Sequence, residues 1–345
     1  MDAREALGAV VAGRTLTRAE AESTMSSVMV GEALPSQMGA LLAALRMRGE
    51  TVDEITGFAS AMRGAAVKIT LAPGAIDIVG TGGSRIDPFN ISTVASVVAA
   101  AAGAKVAKHG NRAASGKCGS ADVLEALGVK IDLGPDGATT CIDEVGVAFL
   151  FAARYHPAMR HAGPVRREIG IRTVFNLLGP LANPARVRRM VLGVATPELG
   201  ETMARVLSEL GADHVLVVHG ADGLDEISPT GPTQVWELRS GAVRLSSIDP
   251  VAVGLPLASV ADILSGDPPA NAKTARSILD GESGARRNAV LLNAGAALIV
   301  AGLADGLGEG VAAAALAIDS GAARETLEHL ISASQRIGAT EAAAV

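Results

Sequence analysis

Residues 78–93 read IVGTGGSRIDPFNIST. The β-branched residues at the start of this stretch lead directly into Gly80, Gly82 and Gly83, and an Asn-Ile-Ser-Thr segment follows a few residues later. Backbone N–H groups in a glycine-rich turn form an anion-binding nest, because no Cβ atom blocks the approach. Ligands of open α/β sheets bind beyond the carboxyl ends of the strands. The stretch therefore predicts a strand and a phosphate-binding loop, although the glycines alone fit a tight strand-to-loop turn equally well.

The rest of the chain alternates short β-branched segments with helical segments from Ile76 onward. Such alternation is typical of βαβ units and predicts an α/β fold with a mostly parallel sheet. The first sixty-odd residues are instead predicted to be helical, since Thr17–Glu20 and Thr51–Glu54 both fit the capping box. Strands are predicted at 76–79, 104–110, 129–133, 147–152, 190–195 and 214–220, with a hairpin around Ser240 and Gly241.

Composition argues against several classes of protein. The formal net charge is −6 over 345 residues and aromatic residues make up only 2%, so neither phosphate neutralisation nor base stacking favours nucleic-acid binding. The two cysteines, Cys118 and Cys141, are too few for a disulfide framework and fit a reducing cytoplasm. The N-terminus lacks the apolar region of a signal peptide. The longest apolar stretches, near 94–104 and 289–302, are predicted to be buried helices rather than membrane spans.

A second loop of the same kind closes the predicted strand at 104–110, and residues 108–120 read KHGNRAASGKCGS. Asn90, Ser92 and Thr93 lie at the start of a predicted helix, where N–H groups and small hydroxyls favour anions. Both strands belong to one predicted sheet, so the two loops can face one ligand with several phosphates. Two unrelated surface loops are the alternative, which the three cations of the second loop disfavour.

An acidic loop, GADGLDE at 220–226, follows the predicted strand at 214–220. In a loop, Asp225 and Glu226 can share a hard cation, and Mg²⁺ prefers a few carboxylates together with substrate phosphate oxygens. A solvated turn explains the segment when it is taken alone, since Asp-Gly is common in turns. Beside a polyphosphate site, we interpret the two acids as a Mg²⁺ site.

The segment 154–189 carries eight arginines and a single acid, Glu168, which makes it a local anion-attracting region in an acidic protein. Most of these arginines are interpreted as a solvated or salt-bridged face, and one or two are expected to have a different role. The eight are Arg154, Arg160, Arg166, Arg167, Arg172, Arg186, Arg188 and Arg189.

Four segments together resemble the anthranilate phosphoribosyltransferase family of the tryptophan pathway. They are IVGTGGSRIDPFNIST (78–93), KHGNRAASGKCGSADVLEALGV (108–129), HPAMRHAGPVRREIGIRTVFNLLGPLANPA (156–185) and VVHGADGLDEIS (217–228). In order and spacing, the resemblance covers nearly the whole chain. The implied reaction moves the 5-phosphoribosyl group of 5-phosphoribosyl 1-pyrophosphate (PRPP) to the amine of anthranilate and releases pyrophosphate, with Mg²⁺ as the cofactor.

The resemblance also implies the class III phosphoribosyltransferase fold. A small all-helical domain is expected at residues 1–68 plus about 156–182, and a larger α/β domain at 69–155 plus about 183–345. The active site is expected in the cleft between the domains. The family is usually a homodimer joined through the small domain, and neither a nucleic acid nor a membrane is an expected partner.

Individual site residues follow from the same resemblance. Arg166 matches the arginine that contacts the anthranilate carboxylate. His109 and His156 are expected to line the acceptor path. The expected Mg²⁺ ligands are Ser92, Asp225 and Glu226. The expected acceptor residues are Gly80, His109, Asn111, His156 and Arg166. The expected PRPP residues are Gly80, Gly82, Gly83, Ser84, Pro88, Asn90, Ile91, Ser92, Thr93, Lys108, His109, Gly110, Asn111, Arg112, Ala113, Ala114, Ser115, Gly116 and Ser120.

Three departures from the family pattern lie near the expected phosphates. Ser84 replaces the acid that usually follows Gly-Thr-Gly-Gly, Pro88 replaces a frequent threonine, and Ser115-Gly116 replaces a Ser-Ser pair. Each removes a side chain and leaves backbone donors, so we expect weaker or rearranged PRPP binding and the same reaction. Arg85 or Asp87 is expected to compensate in part.

Three alternatives stay open at the level of sequence. Pyrimidine nucleoside phosphorylases share this architecture, although the 156–185 signature and the Asp-Glu pair argue against them. Another aromatic amine could be the acceptor, because the sequence defines the pocket wall poorly. A non-catalytic relative that binds nucleic acid is disfavoured by the net charge of −6.

Overall fold

A computed structural model of the chain describes residues 1–84, 86–113 and 116–343. The N-terminal segment forms four helices, α1 (Ala3–Val11), α2 (Arg18–Met29), α3 (Pro35–Arg48) and α4 (Val52–Ala65). Both predicted capping boxes are present, since the hydroxyls of Thr17 and Thr51 accept hydrogen bonds from N–H groups three residues later. The helical prediction for this segment is therefore confirmed.

Glu54 is a fully buried carboxylate that ties these helices together. It accepts hydrogen bonds from the backbone N–H groups of Leu16 (2.8 Å) and Thr51 (2.9 Å) and pairs with Arg48 Nη2 at 2.5 Å. None of its surface is exposed. A single side chain thus links the start of α4 to the end of α3 and to the connection before α2.

Glu54→Ala is expected to lower the free energy of unfolding by about 3–5 kcal/mol, because the substitution leaves a largely buried arginine without its partner. Denaturant titration followed by circular dichroism measures the loss. Asp53→Ala changes the exposed neighbouring acid, and as a matched control it should cost at most about 1 kcal/mol. Equal losses in the two variants would contradict the structural role of Glu54.

A seven-stranded sheet forms the centre of the remaining chain, in the order β3-β2-β1-β4-β5-β6-β7. The strands from β3 across to β5 run parallel, and β6 and β7 are antiparallel additions at one edge. The predicted hairpin turns at Ser240 and Gly241, whose φ angles are 52° and 78°. The α/β fold with a mostly parallel sheet is confirmed. The strands are β1 (Ile76–Gly80), β2 (Val106–Gly110), β3 (Val147–Phe151), β4 (Arg189–Gly193), β5 (His214–Gly220), β6 (Thr233–Arg239) and β7 (Ala242–Ile248).

Helices cover the sheet, and two of them, α5 and α13, are the apolar segments that were predicted to be buried. The alanines away from the ends of the two helices are almost entirely inaccessible, which lets the helices pack closely on each other. Across the described ranges, no helix combines the length and apolarity needed to cross a membrane. The helices are α5 (Ile91–Ala101), α6 (Ser120–Leu127), α7 (Pro135–Val145), α8 (Ala152–Tyr155), α9 (Met159–Ile169), α10 (Phe175–Leu181), α11 (Glu198–Glu209), α12 (Pro268–Leu279), α13 (Ala285–Ala301), α14 (Leu307–Asp319) and α15 (Ala322–Ala343), with 3-10 turns at Pro250–Val253 and Val260–Ile263.

The strand predicted at 129–133 is wrong. Val129, Ile131 and Leu133 are buried and alternate with exposed residues, as in a half-buried strand. The segment joins no sheet, however, and the backbone N–H of Lys130 donates instead to Ser334 Oγ of α15 at 3.0 Å. Alternating burial therefore arose from packing an extended segment against a helix.

The order of the strands places a crevice at the carboxyl ends of the central strands β1 and β4. The chain runs from β1 outward through β2 to β3, then returns to β4 on the other side of β1. Ligands of open α/β sheets bind where the strand order reverses in this way, outside the carboxyl ends of the strands. Here those ends are Gly80 of β1 and Gly193 of β4, which are paired in register.

Candidate functional site

The acidic loop after β5 crosses directly over the carboxyl ends of β1 and β4. Asp225 Oδ2 accepts a hydrogen bond from the backbone N–H of Gly82 at 2.8 Å. A Cβ atom on Gly80 would lie 2.5 Å from Asp225 Oδ2, and one on Gly193 would overlap the Asp225 backbone. Glycine is therefore required at both strand ends, because the loop lies where side chains would project. The predicted glycine loop and acidic loop are in contact.

Glu226 continues this contact to the first turn of α5. Its Oε1 accepts a hydrogen bond from the Ser92 N–H at 3.3 Å, and Lys108 Nζ donates to Ser92 Oγ at 3.2 Å and to the Ile78 carbonyl at 2.7 Å. Burial lowers the pKa of Lys108, while Asp77 and Glu226 oppose that shift. Burial and the neighbouring Asp225 raise the pKa of Glu226 to about 8. The site thus holds two adjacent acidic side chains beside the buried amine of Lys108.

The other acid of the loop, Asp222, has a structural role. Its carboxylate accepts hydrogen bonds from the Leu224 N–H and from the hydroxyls of Ser228 and Thr230. These bonds shape the turn that carries Asp225 and Glu226 over the sheet. The sequence analysis assigned the metal site to Asp225 and Glu226 and gave Asp222 no role.

Asn90 is held from both sides at the start of α5. Its Nδ2 donates to the Cys118 carbonyl at 2.9 Å, and its Oδ1 accepts from Asn271 Nδ2 at 2.9 Å. Asn271, which is 3% exposed on α12, was not singled out from the sequence. Next along the chain, Ile91 is fully buried and Thr93 is 2% exposed. The side-chain amide of Asn90 therefore links the start of α5 to the second loop.

The second loop is organised around Asp122 of α6. Asp122 Oδ2 accepts hydrogen bonds from the N–H groups of Ala113 (3.0 Å) and Gly119 (2.8 Å), which draws the two ends of the loop together. Arg112 pairs with Asp122 at 3.1 Å and with Glu125 at 2.5 Å, so its guanidinium lies along α6.

The other expected residues of the second loop lie around this turn. Asn111 accepts a hydrogen bond from the backbone N–H of Arg112. A Cβ atom on Gly110 would lie 3.2 Å from Ser120 Cβ, so the end of β2 contacts the start of α6. The expected PRPP residues Ala114 and Ser115 lie outside the described residues.

His109 and His156 form a buried pair of imidazoles, with ring centroids 5.2 Å apart. Burial lowers the pKa of His109 to about 3, and burial lowers the pKa of His156 to about 4. Both rings are therefore neutral near pH 7. Among the described residues, neither Nε2 atom has a hydrogen-bond partner. Both Nε2 atoms are buried, so the pair places polar atoms without charge beneath the end of β2.

Arg166 lies on α9, where its guanidinium carbon is 5.2 Å from the centroid of the Phe175 ring. Burial lowers the pKa of Arg166, and none of the carboxylates in the described ranges forms a salt bridge with it. A half-buried guanidinium stacked on an aromatic ring is oriented and still has its donors available. Its chemistry fits the binding of a carboxylate.

Asp225 and Glu226 fit a Mg²⁺ site only if a bound substrate supplies further oxygen ligands. The described part of the chain contains no cluster of three or more His, Cys, Asp or Glu side chains. Mg²⁺, however, is usually held by one or two carboxylates plus substrate phosphates and waters. Two adjacent acids in contact with the glycine loop and with the start of α5 provide that arrangement.

Comparison with known proteins places both parts of the chain in one family. Residues 4–66 match the helical bundle domain of the glycosyl transferase family, and residues 72–324 match its a/b domain. An anthranilate phosphoribosyltransferase from Methylobacterium sp. (strain 4-46) is 52% identical over 328 residues, which cover 95% of this chain and 97% of the relative. The chain belongs to the anthranilate phosphoribosyltransferase family.

Solved anthranilate phosphoribosyltransferases have the same fold. The crystal structure of the Thermus thermophilus enzyme gives a TM-score of 0.91 at 45% identity, covering 96% of this chain and 99% of the other. The Saccharomyces cerevisiae enzyme in complex with PRPP and Mg gives 0.90 at 26% identity, covering 96% and 97%. The small helical domain and the larger α/β domain expected from the sequence are thereby confirmed.

The three departures from the usual anthranilate phosphoribosyltransferase pattern lie in one region. Ser84 Oγ donates to the Ile86 carbonyl at 2.5 Å, and Pro88 forms an antiparallel bridge with Leu264. A Cβ atom on Gly116 would lie 2.8 Å from Asp87 Oδ1. The absence of a side chain at Gly116 therefore gives Asp87 room between the two loops. Arg85, the other residue expected to compensate, lies outside the described residues.

Proposed function

We propose that this chain transfers the 5-phosphoribosyl group of PRPP to the amine of anthranilate and releases pyrophosphate, the second step of tryptophan biosynthesis. The observation that carries the proposal is the junction at Asp225 and Glu226. The first accepts from the glycine loop at 2.8 Å, and the second accepts from the start of α5 at 3.3 Å. Two acids in contact with two anion-binding elements fit a pyrophosphate bound with a metal ion better than a nucleoside and free phosphate.

The donor would be held mainly by backbone groups. Gly82 and Gly83 have φ angles of 66° and 79°, so this part of the loop is in the left-handed region that favours glycine. The N-terminus of α5 and the ammonium of Lys108 add positive charge beside them. We assign the expected PRPP residues of both loops to this donor site, with Arg112 as an outer residue because its guanidinium pairs with the acids of α6.

Asp225 and Glu226, with Ser92 beside them, would hold Mg²⁺. When bound, the ion supplies charge neutralisation for the leaving pyrophosphate. Lys108 contributes a fixed positive charge through its bond to Ser92 Oγ. This chain therefore stabilises the leaving group mainly by placing charges in advance, which is the largest contribution in many enzymes.

The acceptor would lie between the buried histidines and α9. Arg166 would grip the anthranilate carboxylate with its planar guanidinium, and the neutral rings of His109 and His156 would line the acceptor path. Asn111 and Gly80 lie at the ends of the loops that separate the two substrates. The amine is neutral before it attacks, so orientation contributes more than proton removal.

The reaction exchanges one bond at C1 of the ribose. The bond from C1 to the pyrophosphate oxygen breaks and its electron pair leaves with pyrophosphate, while the amine nitrogen donates its lone pair to C1. The nitrogen then loses one proton to solvent water. The low pKa values of the two histidines keep both rings neutral, so they orient the amine without repelling the developing positive charge.

Anthranilate fluorescence tests the proposed function directly. With PRPP and Mg²⁺ the signal should decay, and chelation of the metal should stop the decay. Phosphate-dependent release of a pyrimidine base, without loss of anthranilate, would support a nucleoside phosphorylase instead. Decay with substituted anthranilates but not with anthranilate would change the acceptor and keep the reaction type.

Binding of PRPP with Mg²⁺ is expected to strengthen as the pH rises towards 8. A raised pKa of about 8 leaves Glu226 largely protonated at neutral pH, and a metal ligand must be ionised. Affinity should rise by up to about tenfold per pH unit below that value and become constant above it. Calorimetry between about pH 7 and 9 avoids the second phosphate pKa, which is about 6. Glu226→Gln should bind weakly with no such slope, and an equal slope in both proteins would contradict the assignment.

The domain limits proposed from the sequence are 1–68 plus about 156–182 for the small domain, and the remainder for the large one. Helix α9 packs against α2 and α3, and α10 packs against α4, which supports the inclusion of the middle segment. We further propose a homodimer joined through the small domain, because Val30, Leu34 and Met47 are 58–88% exposed there. Light scattering should give twice the monomer mass, and Met47→Glu should reduce it.

We also propose that the enzyme acts in the cytoplasm, where PRPP would be supplied. Cys118 and Cys141 are both free and buried, which fits a reducing compartment. Burial raises the pKa of Cys118 to about 11, so the thiol in the second loop is inert near neutral pH. Cell fractionation with an antibody against the chain tests the location.

A further inference from the structure

Arg172 lies in the short connection between α9 and α10, and its side chain reaches across to the glycine loop. Its Nη2 donates a hydrogen bond to the Gly82 carbonyl at 2.8 Å. A Cβ atom on Gly83 would overlap the Arg172 guanidinium. The two segments are 90 residues apart in sequence, so the contact joins the arginine-rich segment to the proposed donor loop.

Gly82 is thereby held at both of its polar backbone atoms. Its N–H donates to Asp225 on one side, and its carbonyl accepts from Arg172 on the other. A loop with two successive left-handed glycines has few local restraints of its own, since glycine adopts many conformations at similar energy. The two side-chain contacts therefore supply restraints that the loop sequence does not.

We propose that Arg172 is a positioning residue for the donor loop: with the Gly82 N–H held by Asp225 and the Gly82 carbonyl held by Arg172, the next N–H group, that of Gly83, is fixed facing the phosphates of PRPP. The inference rests on the proposed function for its consequence in catalysis, whereas the contact itself is a property of the free protein. None of the carboxylates in the described ranges pairs with Arg172. The guanidinium therefore acts on the loop carbonyl and is not neutralised by a neighbouring acid.

Hydrogen exchange of the free protein tests the positioning role without any substrate. In Arg172→Gln, the amides of the loop at 81–84 should exchange at least several-fold faster than in the wild type, because one of the two restraints is lost. Arg167→Gln is the matched control, since this exposed arginine of α9 lies in the same segment. Unchanged exchange in Arg172→Gln would overturn the inference, whatever the protein turns out to catalyse.

Kinetics test the consequence for the substrates. Arg172→Gln should raise the KM for PRPP by about 10- to 100-fold, the range expected for a lost hydrogen bond from a charged donor. The KM for anthranilate should change much less, and Arg172→Lys should recover part of the loss. A purely structural defect would lower the thermal midpoint and the amount of active enzyme without this split between the two substrates. Equal changes in both KM values would contradict the proposal.

A double-mutant cycle with Gly83→Ala separates loop positioning from direct contact with phosphate. In the wild type, the new methyl group would overlap and displace Arg172, in addition to straining a residue at φ 79°. In Arg172→Gln the first of these effects is already lost. The increase in KM caused by Gly83→Ala should therefore be about tenfold smaller in the variant background. Additive effects would show that Arg172 does not act through the loop.

The role of Arg172 and the proposed transfer reaction can fail independently, and the two failures give different results. Absence of PRPP-dependent loss of anthranilate in the wild type would overturn the proposed function, while faster loop exchange in Arg172→Gln would still support the contact. Normal turnover with unchanged loop exchange and an unchanged KM for PRPP would retain the function and reject the role of Arg172.

Discussion

Replacing Asp225 and Glu226 together by Asn and Gln is expected to lower kcat/KM by about 10²–10³-fold or more, the loss seen when a preorganised charge is removed from a transition state. The two carboxylates meet both the glycine loop and the start of α5. The amide substitutions keep the size of the side chains and their ability to accept these hydrogen bonds. They remove the negative charge needed to hold Mg²⁺, so the effect should fall on catalysis rather than on folding.

Steady-state measurement of anthranilate consumption over a range of Mg²⁺ concentrations checks this result. A matched control replaces two exposed acids of the large domain, Asp136→Asn with Glu325→Gln, which also reduces the negative charge by two. The control should keep full activity and its Mg²⁺ dependence. Wild-type turnover in the Asp225 and Glu226 double variant would remove the metal assignment.

Arg166→Ala is expected to raise the KM for anthranilate by about 30- to 1000-fold, which corresponds to about 2–4 kcal/mol for the loss of a buried charged contact. The guanidinium is partly buried against Phe175, where its bond to a carboxylate would be only partly screened by water. The KM for PRPP should change far less, because the donor loops are held by other residues.

The control for this substitution is Arg160→Ala, which changes an exposed arginine near the start of the same helix. It should leave both KM values close to those of the wild type. Methyl anthranilate, which lacks the carboxylate charge, should bind the wild type and Arg166→Ala about equally weakly. An equal rise in the KM for both substrates would remove the assigned role of Arg166.

Much of the fold could be predicted because its local signals agree with its tertiary structure. The β1, β2, β3, β4 and β5 segments are short, mostly apolar and contain β-branched residues, and each forms a strand. The failure at 129–133 has a physical cause. Alternating burial is a property of any extended segment with one buried face, and local sequence does not tell whether that face meets a sheet or, as here, α15.

The site was only partly predictable for a related reason. Glycines, hydroxyls and adjacent acids signal their chemistry locally, so the glycine loop and the pair at Asp225 and Glu226 could be found in the sequence. Gly193, Asn271 and Arg172 carry no local signal. Each matters because of a residue far away in the chain that meets it only after folding.

The buried network beneath the loops shows the same limit. Asp77 is completely buried on β1, where it accepts hydrogen bonds from Asn183 Nδ2 at 2.8 Å and from the His109 N–H at 3.3 Å. Burial raises the pKa of Asp77 to about 6. In the sequence this residue is one acid within a strand, and its link to the second loop depends on the pairing of β1 with β2.

Isothermal titration of PRPP into the purified protein, with Mg²⁺ present, tests most directly whether these separate segments form one donor site. We expect saturable heat with one PRPP bound per chain, and loss of that heat in the Asp225 and Glu226 double variant but not in the Asp136 and Glu325 control. No heat of binding in the wild type at millimolar PRPP would contradict the account.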